Sequence, residues 1–301
     1  MALVKASKTA AYMALFRAIE SAQGPGRRLF NDPFAPCFLD GWLKLGSHFA
    51  RHAWSRRLVQ WYIETRWPGA LTANVARTRF IDDTIAEAAK SGINQVILLG
   101  AGYDCRAHRL LMPTVQFVEV DHPETQQFKQ LQLARFYEQD SRMPLKPVDY
   151  VAADFNQERL AAIAPALLQR AHYKTLFVLE AVTNYITDAA VDDVLHYIQG
   201  FPPGTRVVFT YVDKRVITKE NNGMFIGTRK LFRKLARDQE EWTFGILPGE
   251  FETYLEDRNF HLLYDGGADD YRYAYFGKQK AAAMKGFEYS RIAVAELMPG
   301  R

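Results

Sequence analysis

The sequence predicts an α/β fold of the Rossmann-like kind, built on a parallel sheet, and three observations carry that prediction. Short apolar runs rich in branched residues recur along the chain, at residues 96–99, 115–120, 148–153, 175–179 and 206–211. Runs of this length without polar alternation suit strands buried on both faces. Helix-like stretches separate them, at residues 124–138, 157–171 and 188–199, and such alternation implies right-handed crossovers between parallel strands. The third observation is local. The first run is followed at once by Gly100-Ala101-Gly102, residues 105–112 then have helical character, and the second run ends in Asp121. Two glycines let the backbone turn tightly and lie against a ligand. The turn opens onto a helix N-terminus, and a carboxylate at the next strand tip is placed to accept from ribose hydroxyls. The whole is the outline of a nucleotide-type cofactor site.

Before the sheet, residues 5–22 read as an amphipathic helix with Tyr12, Leu15, Phe16 and Ile19 at helical spacing, stopped by Gly24-Pro25-Gly26. Residues 29–34 form a compact loop. Residues 35–67 are aromatic-rich and mostly helical, with Trp42, Phe49, Trp54, Trp61, Tyr62 and Trp67. Two compatible roles are expected of these aromatics, packing in a core and covering a pocket. Residues 72–89 form a helix that carries Arg77 and Arg79 near its start. Residues 1–75 are therefore expected as a helical cap that does not stand alone, and 76–301 as the cofactor-binding domain.

After the fifth strand the alternation lapses. Residues 213–243 are polar and helical, and they leave the strand edge where open α/β sheets hold ligands. The segment 213–247 is expected as an insertion that contacts substrate. Residues 248–258 read as a helix and 261–264 as a strand. For the last strand, residues 289–297 alternate better than 271–276 and are preferred.

Composition removes several classes. The chain has 301 residues and a net charge of +4, and no Lys/Arg run is long enough for a nucleic-acid arm. Residues 51–57 hold three arginines and a histidine, but Ala53 and Trp54 interleave, which reads as a solvated helix face. Two cysteines, Cys37 and Cys105, give neither a disulfide framework nor a metal cluster, and no metal is expected. They suit a reducing, cytoplasmic setting. No apolar stretch reaches spanning length, and residues 1–14 lack the apolar region of a signal peptide, so no membrane partner is expected. Oligomeric state is not legible.

The cofactor class follows from detail at the glycine turn. A dinucleotide fingerprint wants a third glycine where Cys105 stands, and Asp104 is poorly placed beside a pyrophosphate. S-adenosylmethionine carries no phosphate and fits both departures. Asp121 would take its ribose diol. Asp154 would accept from the adenine amino group, with Phe155 packed on the ring. Glu180, at the fourth strand tip, would offset positive charge at the amino-acid end, and Arg77 would pair with the cofactor carboxylate. An acid after a strand is often only a helix cap; the weight lies in several at consecutive strand ends.

Certain stretches resemble a known family. They are Thr9-Ala10 with Arg17-Ala18-Ile19-Glu20, Leu29-Phe30-Asn31-Asp32-Pro33-Phe34-Ala35, and Ala76-Arg77-Thr78-Arg79-Phe80-Ile81-Asp82-Asp83. Gln95 to Arg106 with Arg109-Leu110, Val118-Glu119-Val120-Asp121-His122-Pro123, and Glu180-Ala181-Val182-Thr183-Asn184-Tyr185-Ile186 complete the set. Over nearly its whole length the chain resembles the leucine carboxyl methyltransferase family, in particular its bacterial branch of S-adenosylmethionine-dependent O-methyltransferases. Ala181 stands where that family usually has glycine, and Cys105 where threonine is more usual. The resemblance implies a seven-stranded class I methyltransferase sheet with a helical cap and methyl transfer to oxygen. It implies Arg77, the turn Gly100-Ala101-Gly102, Asp121 with His122, Asp154, Phe155, Glu180 and Ala181 around the cofactor, and Arg17 as a further carboxylate contact.

Transfer from a sulfonium needs alignment and exclusion of water more than acid–base help. A carboxylate acceptor is already ionised at neutral pH and needs no base, whereas a hydroxyl would want one. None of the seven histidines stands out as that base, which favours a carboxylate of a small metabolite or peptide end. Tyr185 and Tyr211 are candidates to orient the substrate oxygen. Alternatives are a hydroxyl acceptor, a non-catalytic cofactor-binding shell, and a nicotinamide dehydrogenase, which lacks its third glycine here.

Overall fold

The first three strands show why the sheet forms. Strand β1 (Gln95–Leu99) is buried at every residue, and β2 (Gln116–Asp121) and β3 (Val148–Ala152) follow it with parallel registers Leu99↔Val120 and Asp121↔Ala152. The computed structural model describes residues 8–139, 147–155, 159–163, 167, 173–218, 223–238 and 240–300. Strands β4 (Thr175–Leu179), β5 (Arg206–Val212), β6 (Phe260–Gly267) and β7 (Ser290–Leu297) complete one sheet, ordered β3-β2-β1-β4-β5-β7-β6. The first five strands are parallel. Strand β7 inserts antiparallel between β5 and β6, past the point where the strand–helix alternation of the sequence lapses. Side chains such as Ile97, Val118, Phe177 and Val207 are fully buried, and removing each from water contributes about 1.5–3 kcal/mol.

The helices are α1 (Lys8–Ser21), α2 (Gly41–Phe49), α3 (Ala53–Arg66), α4 (Ala70–Lys90), α5 (Arg106–Arg109), α6 (Pro123–Gln139), α7 (Leu160–Ile163) and α8 (Asp188–Ile198). Beyond β5 come α9 (Lys214–Ile217), α10 (Thr228–Asp238), α11 (Phe251–Glu256), α12 (Ala268–Phe276) and α13 (Lys278–Ala281). The helix expected over 105–112 is one turn only. Leu110 is already extended, and Pro113 biases the residue before it away from the helical region. Residues 271–276 are helical, with the Asp270 carboxylate accepting from the Gly267 amide at 2.7 Å to start α12, and the last strand lies at the preferred position. Of the helix expected over 157–171, α7 is described and the remainder lies largely outside the described residues.

The cap shares its core with the cofactor turn. Phe16, Phe34 and Phe38 from the N-terminal segment pack in one cluster with Tyr103, Cys105 and Leu133, and Phe38 stacks on Tyr103 at 4.9 Å. Helix α4 runs unbroken through residue 75, so the expected division there falls inside a helix. The expectation for the aromatics of residues 35–67 is corrected in large part. Trp42, Phe49, Trp54, Trp61 and Tyr62 are exposed, neither core nor pocket wall, and of those named only Trp67 turns towards a cavity. No helix among the described residues is long and apolar enough to cross a membrane.

Candidate cofactor and acceptor site

Strands β1 and β4 are neighbours whose onward connections run to opposite sides of the sheet, one towards β2 and the other towards β5. A crevice at the carboxyl ends of strands follows from that reversal. Gly100 enters the crevice with φ +68°, and a Cβ there would stand 2.3 Å from Val182 Cγ2. Glycine is thus required because the loop after β4 presses on the turn, a reason the sequence did not disclose. The amides of Gly100 and Ala101 donate to the Val120 carbonyl at 2.8 and 3.2 Å, hooking the turn onto β2. Asp121 accepts from the Gly102 amide and, at 2.6 Å, from the His122 amide. Burial raises the Asp121 carboxyl above the ordinary range, and these two amides pull against it.

Behind the turn lies a buried ionic network centred on Arg106, which is 1% exposed. Its guanidinium donates to Asp82 at 2.8 Å, to Glu180 at 2.6 Å, to the Thr78 carbonyl at 3.2 Å and to Asp104. Arg77 donates to the other oxygen of Glu180 at 3.0 Å, and Arg109 holds both oxygens of Asp82 at 2.7 Å. Burial pushes the Glu180 carboxyl up, but Arg106 and Arg77 overcome it and hold the group below its usual range; the same contest, with Arg106 as the chief cation, keeps Asp104 well below. Arg17 bonds Asp32 at 2.8 Å and the Tyr103 carbonyl at 2.5 Å. Lys129 reaches the Asp104 carbonyl and, at 2.6 Å, Glu119, whose carboxyl burial pushes up to about 7 against the pull of that lysine.

The crevice holds a cavity of about 330 Å³. Arg17, Arg77, Gly100, Ala101, Gly102, Asp121, Glu180, Ala181 and Tyr185 line it, joined by Thr9, Met13 and Glu240. His122, Asp154 and Phe155 do not line it. They continue the same sheet edge past β2, with His122 Nε2 4.0 Å from Asp154 and Phe155 packed against the core. Ala181 adopts φ +57°, the left-handed region, and its amide donates to Thr210 Oγ1 at 2.7 Å. The family's usual glycine suits that backbone, and alanine there costs about 1–2 kcal/mol.

Tyr211 is drawn away, which corrects its expected role. It is fully buried, stacks on Phe251 at 4.3 Å, donates to Asp265 at 3.0 Å and accepts from Arg291 at 3.0 Å. Its hydroxyl serves the antiparallel edge, although the residue borders a small third cavity of about 70 Å³. Tyr185 lines the first cavity and two smaller ones beside it. Burial raises its phenol, which Trp242, Thr9 and Glu240 all adjoin.

A second cavity of about 110 Å³ is walled by Tyr12, Phe16, Trp67, Leu235, Trp242 and Tyr289 among others. The three cavities share Thr9, Met13 and Tyr185. The segment 213–247 supplies Leu231, Lys234, Leu235 and Trp242 to the second wall and Glu240 to the first. Trp242 Nε1 is buried and faces the Tyr185 hydroxyl. Thr9 donates to Glu240 at 2.8 and 3.0 Å, tying α1 to this segment. Glu240 and Trp242 carried no signal in the sequence, since each lies in a stretch without periodic or motif character; Met13 lies in the amphipathic helix of residues 5–22, where periodicity marks packing and not ligand contact.

The strand order, the glycine turn and the acid-tipped crevice together define a class I methyltransferase fold. A crystal structure of a methyltransferase, provisionally so named, from Thermobifida fusca superposes with TM-score 0.56 at 16% identity, covering 94% of both chains. A DUF574 family protein of Streptomyces avermitilis gives 0.55 at 17% identity over 81% of this chain and 90% of its own. The leucine carboxyl methyltransferase family matches residues 10–199, and the chain belongs to that family. A protein of Frankia alni, provisionally named an S-adenosyl-L-methionine-dependent methyltransferase, is 32% identical over 67% of this chain and 68% of its own length. One of the same name from Mycobacterium avium is 31% identical over 66% of this chain and 62% of its own, so the match spans less than two thirds of that relative.

Proposed function

We propose that the chain is an S-adenosylmethionine-dependent O-methyltransferase whose acceptor is a carboxylate on a small molecule, or on a peptide end, with an apolar body. The observation that carries this reading is the shared wall: the cavity bearing Arg77, the glycine turn and Asp121 has Thr9, Met13 and Tyr185 in common with an aromatic cavity. The residues present fit the cofactor. Arg77 spends its Nε on Glu180 and retains other N–H groups for the cofactor carboxylate. Asp121 has lone pairs left after two amide bonds and suits a diol. Carboxylates of Asp104, Asp121 and Glu180 border the cavity, which favours a cationic ligand over a pyrophosphate. Asp154 and Phe155 extend the edge towards which the adenine would lie. When bound, the cofactor supplies an electrophilic methyl on sulfur, open to in-line displacement.

The chain's own contribution is positioning and dryness. Aromatic walls exclude water from the second cavity. Tyr185 stands at the junction to orient the acceptor oxygen. Lys234, 4.5 Å above the Tyr12 ring, brings positive charge to the second wall. No histidine or cysteine lines any of the three cavities, and a carboxylate acceptor, already ionised, needs none. A second reading, a hydroxyl acceptor, is favoured by one observation: Glu240 lies beside Tyr185 on the cavity wall and would serve as a proton acceptor.

The test is incubation with methyl-labelled S-adenosylmethionine and panels of small aromatic and apolar acids and phenols. Label released as methanol by mild base supports the carboxylate. Base-stable label on phenols would replace it with the second reading.

A further inference from the structure

Helices α2 and α3 set Leu43, Val59 and Ile63 against the core but carry their largest apolar side chains outward. A helix on a protein surface turns its large apolar side chains inward. Here the residues buried in α2 and α3 are Ser47, Ser55 and Ile63. Outward stand Trp42 at 86% exposure, Trp54 at 68% and Trp61 at 66%. At helical spacing they form stripes. Trp42, Leu45 and Phe49 make one on α2, and Trp54, Leu58, Trp61 and Tyr62 make another on α3, all exposed. At 100° per residue, Arg57 falls on one flank of the α3 stripe and Arg66 on the other.

The charge around the stripes is predominantly positive, with the exposed Asp40 at the start of α2 as the acid at its edge. Lys44, Arg51, Arg57 and Arg66 are exposed, with His48 and His52 between them. Between Gly41 and Trp67 the one acid is Glu64, and it is turned onto the Gly69 amide at 2.7 Å, where burial raises its carboxyl. Tryptophan flanked by cations is the composition of helices that lie in the headgroup region of a lipid surface.

We propose that α2 and α3 dock the protein peripherally on an anionic phospholipid surface, with the tryptophans at headgroup depth and the arginines on lipid phosphates. A second copy of the chain suits the face less well. A two-fold contact sets like patch on like patch, and this patch would bring its own arginines together. Docking also has a consequence for the site. Helix α3 ends at Arg66 and leads directly into Trp67 and Pro68, which wall the aromatic cavity, so that cavity would sit beside the lipid. The absence of a spanning helix bears on crossing a bilayer and not on lying against one.

The experiment is co-sedimentation of the full chain with vesicles of phosphatidylcholine alone and of phosphatidylcholine with phosphatidylglycerol at low and high salt. Tryptophan emission and light scattering are followed on the same samples. Expected are pelleting and a blue shift with anionic vesicles only, weakened by salt. The double variant Arg51→Gln/Arg57→Gln should lose roughly twenty-fivefold in partitioning, since each such cation near an anionic surface is worth about fivefold. Trp54→Ser/Trp61→Ser should abolish the blue shift. Both variants change exposed residues outside the cofactor cavity, so they should keep the wild-type affinity for S-adenosylhomocysteine, which separates failure here from failure of the cofactor reading. Protein left in the supernatant with anionic vesicles at low salt overturns the proposal. So does binding that both variants retain, or a dimer in solution that Trp54→Ser/Trp61→Ser dissolves.

Discussion

Replacing Arg106 with methionine keeps the side chain's bulk and removes its charge from a site 1% exposed to solvent. Three carboxylates lose a partner at once. Asp82 keeps its two bonds to Arg109, Glu180 keeps one to Arg77, and Asp104 loses its ion pair and keeps the backbone amide of residue 106 at 2.8 Å. Removing one member of a buried pair costs about 3–5 kcal/mol, because the remaining charge is left uncompensated. For a chain of this size that corresponds to roughly 5–15 °C in melting temperature. The pH dependence supplies a second reading of the same bonds. Glu180 and Asp104 are held below their unfolded values. Their contribution is therefore present above the unfolded carboxylate range, near pH 4, and is lost as pH falls through the lower folded values. The gap between wild type and Arg106→Met should be widest near pH 7 and should narrow below about pH 4. Calorimetric or circular-dichroism melts across that range are the assay. A variant melting within about 2 °C of wild type at pH 7 would refute the reasoning that this arginine holds the turn, α4 and β4 together.

Three further outcomes are expected. Asp121→Asn should raise the dissociation constant for S-adenosylhomocysteine by about 30-fold or more, since charge-assisted bonds contribute roughly 1.5–3 kcal/mol each. Because burial raises the Asp121 carboxyl, wild-type affinity should fall with decreasing pH sooner than for an ordinary carboxylate, by about tenfold per unit below that point, and the asparagine variant should lack this dependence when titrated by calorimetry. Ala181→Gly should raise stability by about 0.5–1 kcal/mol in urea melts, relief of the left-handed alanine being partly offset by a more flexible unfolded chain. Tyr185→Phe should lower methyl transfer about tenfold or more while leaving S-adenosylhomocysteine affinity near wild type, and equal losses in both would remove the phenol from acceptor orientation.

What the sequence made legible is what short-range pattern encodes. The runs at β1 and β2, the glycines between them and the acid at 121 follow one another within 27 residues, so their joint geometry is set by strand and turn rules. Glu180 is legible for the same reason, as a residue at a strand tip. Arg106 was visible only as a landmark. Its role depends on Asp82, Asp104 and Glu180 arriving from three separate elements. Tyr211 misled because its surroundings are made by β6 and β7, an antiparallel pair that the repeating alternation does not announce. The tryptophans of α2 and α3 misled in the opposite sense: composition argues for burial, and the fold leaves them outside. Glu240 and Trp242 sit in an insertion without period, where only the folded chain brings them to Thr9 and Tyr185.

The central claim is that the tips of β1, β2 and β4 grip a sulfonium donor. Isothermal titration of the purified chain with S-adenosylhomocysteine and, separately, with NAD tests it most directly. The account predicts saturable one-to-one binding of S-adenosylhomocysteine, weakened by Asp121→Asn, and no measurable heat from NAD. Tight NAD binding with no response to S-adenosylhomocysteine would contradict it.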